Sequence, residues 1–171
     1  SPDSVTNARI INAAKEIKVQ EDEKIILMPA RLTDWKGHKL AIKAISFLAN
    51  KKFKLVVIGD VQNKMYYKKT LIKLADKLNV LSNTIFLENT RDLPAYLKLS
   101  DLIISCSTKP EAFGRTILEA QAMGKPVVAF NHGGAIELIT NNENGVLSKV
   151  GDVNELSYNI DKVLNYTNAK R

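Results

Sequence analysis

The sequence has 171 residues, of which 45% are hydrophobic and 25% charged, and its formal net charge is +7. These values are typical of a soluble globular protein, so we expect a single domain over residues 1–171, and no apolar run approaches the roughly 20 residues that span a bilayer. Cys106 is the only cysteine, which excludes an internal disulfide, and the distant His38 and His132 do not indicate a metal site.

Apolar patterns predict helices and strands that alternate along the whole chain. In chain order they are a helix over 7–19, a strand over 25–28, a helix over 38–50, a strand over 55–58, a helix over 64–78, a strand over 84–87, a helix over 93–99, a strand over 102–105, a helix over 114–123, a strand over 126–130, a helix over 135–140, a strand around 146–147 and a helix over 152–164. Continuous apolar strands and regular alternation are typical of βαβ units. The sequence therefore predicts an α/β, Rossmann-like parallel sheet of about six strands with helices on both faces.

Cys106 follows the apolar run of the fourth strand, and we expect it to be a buried core thiol. Asp152 is a plausible N-cap for the last helix. Gly124 is a usual C-terminal stop for the helix over 114–123.

In parallel sheets of this kind, ligands bind beyond the carboxyl ends of the strands, so we expect the functional residues in the loops that follow the strands. The loop after the first strand carries Arg31 and Lys36, and Gly37 then begins a helix. An Arg fork, a Lys point charge and free helix N–H groups all favour a phosphate. Taken alone, this loop is better interpreted as two solvated surface cations.

The loop after the fourth strand carries a pair of carboxylates. Glu111 falls just before the helix that follows, and Glu119 lies about two turns further on. Carboxylates accept hydrogen bonds from hydroxyl groups, so this pair can hold two parts of a polyol beside the helix N-terminus. The alternative is that Glu111 only favours the helix dipole and that Glu119 lies on an exposed edge.

Two glycines, Gly133 and Gly134, follow the fifth strand. They allow either a close approach of the backbone to another group or a plain tight turn.

The order and spacing of these loops resemble the C-terminal domain of retaining GT-B glycosyltransferases of the GT4 family (glycosyl transferases group 1). The resemblance runs from about Asp22 to Leu164. Its motifs are Arg31-Leu32-x-x-x-Lys36-Gly37, Glu111-x-Phe113-Gly114-x-x-x-x-Glu119-Ala120, Gly124-x-Pro126-Val127-Val128-Ala129 and Gly133-Gly134-x-x-Glu137. The chain departs from the family pattern at Ala30, at Asp60 and Val61 after Gly59, and at Glu88.

The resemblance implies roles for individual residues. Arg31, Lys36 and Glu111 would be the catalytic residues, with the two cations on the donor diphosphate. Glu111 would position the transferred sugar and Glu119 would hold the ribose hydroxyls. The implied donor-binding residues are Arg31, Lys36, Glu88, Asn89, Thr90, Arg91, Glu111, Ala112, Phe113, Gly114, Arg115 and Glu119. No metal and no other cofactor is expected.

The resemblance also implies an activity and partners. It predicts a hexosyltransferase domain that binds a nucleotide-diphosphate sugar, acts without a metal and retains the anomeric configuration. The acceptor would be held by an N-terminal domain that this chain lacks, so we expect the chain alone to bind nucleotide weakly and to be inactive. The alternatives are a non-catalytic nucleotide-sugar-binding module and an NAD-dependent oxidoreductase, although the first loop lacks the Gly-x-Gly-x-x-Gly pattern.

The charge bears on where such a protein works. Its lysines are spread along the chain and form no basic arm, so we expect no nucleic-acid partner. The surplus of positive charge fits either a solvated lysine-rich surface or a face that contacts a membrane bearing a lipid-linked or polysaccharide acceptor. The polar start, Ser1 to Asn7, does not resemble a signal peptide, so we expect a cytoplasmic protein, with the cytoplasmic membrane face as the alternative.

Overall fold

One six-stranded sheet forms the centre of the protein in the computed structural model, which describes residues 2–88, 90 and 92–169. Every neighbouring pair of strands is parallel, in the order β3-β2-β1-β4-β5-β6. The strands are β1 (Lys24–Pro29), β2 (Phe53–Ile58), β3 (Thr84–Leu87), β4 (Leu102–Ser105), β5 (Val127–Phe130) and β6 (Gly145–Ser148). The prediction of a parallel sheet of about six strands is confirmed.

Helices connect the strands and cover both faces of the sheet. They are α1 (Asn7–Glu16), α2 (His38–Ser46), α3 (Met65–Lys77), α4 (Leu93–Leu99), α5 (Arg115–Ala122), α6 (Gly134–Leu138) and α7 (Val153–Ala169). Asp152 caps α7, since its carboxylate accepts from the Glu155 N–H at 2.9 Å. The predicted helix over 38–50 stops at Ser46, where the Lys51 ammonium donates to the carbonyls of Ile45 and Ser46 and satisfies the end of the helix.

Side chains of each strand alternate between two hydrophobic cores. In β1, Ile26 and Met28 pack with α2, α3 and α7, whereas Ile25 and Leu27 pack with α1, α4, α5 and α6. A strand that is buried on both faces needs apolar residues along most of its length. This requirement explains the continuous apolar runs that predict the strands.

Cys106 lies directly after β4 and is only 1% exposed. Burial raises the pKa of its thiol to about 12, so the sulfur stays protonated at neutral pH. The prediction of a buried core thiol is confirmed.

His38 opens α2 and is completely buried. Burial, the largest cause, lowers the pKa of His38 to about 4, and the Lys36 charge adds to this, while the carbonyls of Ala30 and Thr33 act in the opposite direction. The ring is therefore neutral at pH 7. Its Nε2 lies 3.3 Å from the Ala30 carbonyl oxygen, so a neutral ring with the proton on Nε2 donates to that oxygen.

We expect the buried His38 to make folding stability depend on pH. Between pH 6.5 and about 4 the unfolded chain binds a proton at this ring that the folded chain does not bind, so acidification favours unfolding. The free energy of unfolding should fall by about 3 kcal/mol across this interval on account of His38 alone. Urea unfolding of the wild-type chain and of His38→Phe at several pH values measures the difference. Equal pH dependence in both proteins would contradict the expectation.

Candidate functional site

A cleft opens at the carboxyl edge of the sheet, between the loops that follow β1 and β4. The order of the strands reverses at this point, because the chain continues from β1 to β2 on one side and reaches β4 on the other. The cleft has a volume of about 540 Å³. It is lined by Pro29, Ala30, Arg31, Lys36, Ile58, Gly59, Leu93, Glu111, Phe113, Gly114, Arg115, Thr116 and Glu119.

Most of the residues predicted for the site meet in this cleft. Those that line it are Arg31, Lys36, Glu111, Phe113, Gly114, Arg115 and Glu119. Glu88 is instead ion-paired with Lys68 of α3 at 2.8 Å, and the Thr90 hydroxyl accepts from the Asp92 N–H. Ala112 turns its carbonyl toward Gly134. Asn89 and Arg91 lie outside the described residues, and their roles stay predictions.

The loop after β1 is fastened to the end of β2. The Ala30 N–H donates to the Ile58 carbonyl at 2.9 Å, and the Leu32 N–H donates to the Asp60 carbonyl at 3.1 Å. A Cβ on Gly59 would lie 2.0 Å from the Ala30 carbonyl oxygen, so only glycine allows this contact. These contacts hold the backbone on both sides of Arg31, whose side chain is exposed.

A short 3₁₀ turn, Asp34–Lys36, presents Lys36 to the cleft and ends at Gly37. Gly37 has a φ of +79°, and a Cβ there would lie 1.9 Å from the Cys106 carbonyl oxygen. The Trp35 carbonyl accepts hydrogen bonds from the N–H (2.7 Å) and the hydroxyl (3.2 Å) of Thr108. The turn is therefore locked against the loop that follows β4.

An ion pair joins the two loops inside the cleft. The Lys36 ammonium contacts the Glu111 carboxylate, and the two side chains are 18% and 27% exposed. The same ammonium lies 4.4 Å from the centre of the Trp35 ring. The cation from the first loop and the carboxylate from the fourth, which are 75 residues apart in sequence, thus form one unit.

The glycines after β5 bring a third loop against Glu111. The Gly134 N–H donates to the Glu111 carbonyl at 2.7 Å, and a Cβ on Gly133 would lie 2.7 Å from the same oxygen. His132 Nε2 lies 2.7 Å from the Ser107 carbonyl oxygen, which ties the same two loops together once more. The close backbone approach that the glycines allow is therefore made to the backbone that carries Glu111.

Helix α5 forms the wall of the cleft on the β4 side. Gly114, with a φ of +54°, turns the chain into the helix, whose first N–H groups have no partner within it. The Thr116 hydroxyl donates to the Pro29 carbonyl at 3.5 Å and ties the helix to β1. The Glu119 carboxylate accepts from Arg115 Nε at 2.9 Å.

Sequence reasoning missed part of the lining. Ile58 ends β2 and Gly59 follows it, Leu93 begins α4 after β3, and Thr116 lies in the first turn of α5. A prediction of the strand order would have found the first three, because β2 is the neighbour of β1 and β3 the next strand along.

The cleft combines cations with hydroxyl-binding groups. Arg31, Lys36 and Arg115 supply positive charge, and Glu111 and Glu119 supply carboxylate acceptors. Such a set suits a ligand that bears both phosphate and hydroxyl groups. Within the described part of the chain, no three His, Cys, Asp or Glu side chains are gathered as a metal site requires.

Known proteins with similar sequences include glycosyltransferases. The family model described as glycosyl transferases group 1 matches residues 10–171. An uncharacterized glycosyltransferase of Methanocaldococcus jannaschii is 34% identical over 157 residues, which are 90% of this chain and 39% of that protein. The N-acetyl-alpha-D-glucosaminyl L-malate synthase of Bacillus anthracis is 30% identical over 139 residues, which are 81% of this chain and 35% of the synthase.

Solved structures extend the likeness to the fold. A glycosyltransferase from Rickettsia africae superposes with a TM-score of 0.92 at 34% identity, over 96% of this chain and 44% of that one. Anabaena HepE in complex with UDP and glucose superposes with a TM-score of 0.86 at 28% identity, over 97% of this chain and 48% of HepE. The prediction of a Rossmann-like half of a GT-B fold is confirmed.

The chain spans between 34% and 41% of the length of the curated relatives it matches. No helix within the described residues is both long and apolar enough to cross a membrane. The family model covers almost the whole chain, and Arg31, Lys36, Glu111 and Glu119 line one cleft of the matching fold. The chain therefore belongs to the glycosyl transferases group 1 family.

Proposed function

We propose that this chain is the donor-binding domain of a GT4 hexosyltransferase that uses a nucleoside-diphosphate sugar, retains the anomeric configuration and needs no metal. The observation that carries the proposal is the meeting of Arg31, Lys36, Glu111 and Glu119 in one cleft at the switch point of the sheet. Each of these residues alone would be an ordinary surface charge. Together they offer cations to a diphosphate and carboxylates to the sugar and ribose hydroxyls.

The cations would act mainly on the leaving group. As the glycosidic bond breaks, negative charge grows on the diphosphate, and Arg31, Lys36 and the first N–H groups of α5 lie along the cleft that would hold it. Donors that are already in place stabilise that growing charge more than they stabilise the bound donor. Fixed protein groups would thus take the part that a metal ion plays in other transferases.

Glu111 would position the sugar. Its carboxylate is paired with Lys36, and its backbone is held by Gly134. An ion-paired carboxylate with a fixed backbone is suited to accept hydrogen bonds from sugar hydroxyls. We therefore assign to Glu111 the orientation of the sugar, while the acceptor attacks from the face on which the diphosphate departs, through an oxocarbenium-like species.

A structural relative supports the class of donor. Anabaena HepE, 29% identical to this chain with a TM-score of 0.85, was crystallised in complex with UDP-glucose.

The rest of the enzyme would supply the acceptor. The relatives are more than twice as long as this chain, in keeping with a second, N-terminal domain across the cleft. We propose that the acceptor, a lipid-linked or polysaccharide sugar, binds there, and that the isolated chain is inactive. The enzyme would serve carbohydrate biosynthesis in the cytoplasm, with its basic surface available for contact with the cytoplasmic membrane face.

A thermal-shift screen with UDP-, GDP- and ADP-sugars tests the proposal on the chain itself. A ligand that binds only the folded state at 100 times its dissociation constant stabilises it by about 2.7 kcal/mol. For a domain of this size that corresponds to a rise in Tm of roughly 5–10 °C. We expect one nucleotide sugar to produce it and NAD to produce none.

Further measurements test the need for a metal and the alternative functions. The shift should persist in the presence of EDTA, because no metal is required. A shift with NAD and with none of the nucleotide sugars would reject the proposal. A full-length protein that binds the sugar nucleotide without transferring sugar would identify a non-catalytic binding module instead.

A further inference from the structure

Trp35, the only tryptophan of the chain, lies next to Lys36 and contacts it through its ring. The Lys36 ammonium is 4.4 Å from the ring centre, on the attractive face of the indole. The Trp35 backbone is held independently, because its carbonyl accepts two hydrogen bonds from Thr108. The ring is therefore attached to a fixed point between the two loops that build the cleft.

A lysine needs such support more than an arginine does. Its ammonium sits on a flexible stem with several rotatable bonds, so most of its conformations point away from any one ligand. In this cleft the Glu111 carboxylate contacts the Lys36 ammonium, and the Trp35 ring restricts it further. When a diphosphate competes with Glu111 for the ammonium, the contact with Trp35 can persist and keep Lys36 in the cleft.

Among the described residues, Lys36 lines the cleft and Trp35 does not. An effect of Trp35 on the ligand must then pass through Lys36. We propose that Trp35 is a positioning residue that holds the Lys36 ammonium over the diphosphate subsite and so raises the affinity of the site for a diphosphate group. This inference rests on the proposed function, since it assigns Lys36 to the diphosphate.

A double-mutant cycle separates this role from a general structural one. The wild-type chain, Trp35→Leu, Lys36→Met and the double variant are titrated with UDP and with inorganic pyrophosphate by calorimetry at low ionic strength. We expect Trp35→Leu to weaken binding about threefold to tenfold in the wild-type background. In the Lys36→Met background the same change should have no effect.

The conservative variant Trp35→Phe keeps an aromatic face and should retain most of the affinity, because phenylalanine also attracts a cation, though less strongly. Melting temperatures of all variants show whether each is folded. Equal losses from Trp35→Leu in both backgrounds, or no loss in the wild-type background, would overturn the proposal.

A measurement without ligand keeps the inference distinct from the proposed function. Side-chain ¹³C relaxation of Lys36 should report restricted motion in the wild-type chain and greater motion in Trp35→Leu, with the exposed Lys43 as a mobile reference. Failure of the wild-type chain to bind any diphosphate would reject the proposed function. Unchanged Lys36 motion in Trp35→Leu would reject the role of Trp35 alone.

Discussion

We expect Lys36→Met to lower the rate of sugar transfer by the full-length enzyme about 100-fold to 1000-fold, the usual effect of losing one preorganised group that stabilises developing charge. Lys36 is the half-buried cation of the cleft, and the substitution also leaves the Glu111 carboxylate without its partner. Both effects act where the leaving diphosphate would lie. Initial rates at several donor concentrations give kcat and kcat/KM separately.

The position of the charge, and not the total charge, should decide this result. Lys43→Met removes the same charge from the exposed face of α2, away from the cleft, and should leave kcat within about twofold of the wild-type value. A fall in kcat for Lys36→Met indicates that the ammonium acts in the transition state, whereas a rise in KM alone indicates uniform binding of the donor. Equal rates for the Lys36 and Lys43 variants would refute the assignment of the cleft.

The largest effect on stability is expected for Gly37→Ala. The residue adopts a φ of +79°, and its missing Cβ would lie 1.9 Å from the Cys106 carbonyl oxygen, so alanine adds both backbone strain and a collision with rigid backbone. We expect the free energy of unfolding to fall by about 3 kcal/mol or more. Urea denaturation measures this loss.

Gly151 provides a matched control for this prediction. Its φ is +77°, almost the same as that of Gly37, but no atom lies within 4 Å of the place where a Cβ would be. Gly151→Ala should therefore cost only the strain of the left-handed conformation, about 1 kcal/mol. Equal losses of stability in the two variants would contradict the close packing of the β1 loop against Cys106, directly after β4.

The strands could be predicted from the sequence because they are buried on both faces, which favours apolar side chains along most of their length. The ends of helices were harder to place. Helix α2 stops at Ser46 because Lys51, from the following loop, satisfies its last carbonyls, and a helical pattern contains no sign of that contact. Helix α7 continues to Ala169, beyond the predicted end at Leu164.

The site, like the fold, could be predicted from the sequence only in part. Arg31, Lys36, Glu111 and Glu119 could be found because each lies in or just beyond a loop that follows a strand, with the spacing of a known motif. Their mutual contacts depend on strand order and on side-chain conformation. The ion pair between Lys36 and Glu111 is therefore seen only in the structure and could not be predicted from the sequence.

The position of Trp35 allows the cleft to be monitored by tryptophan fluorescence. The chain contains five tyrosines but a single tryptophan, so emission excited selectively from tryptophan arises from one turn of the backbone, beside the Lys36 ammonium. A charge or a dipole that changes next to an indole shifts its emission. Occupancy of the cleft in this chain can thus be followed in solution without a label.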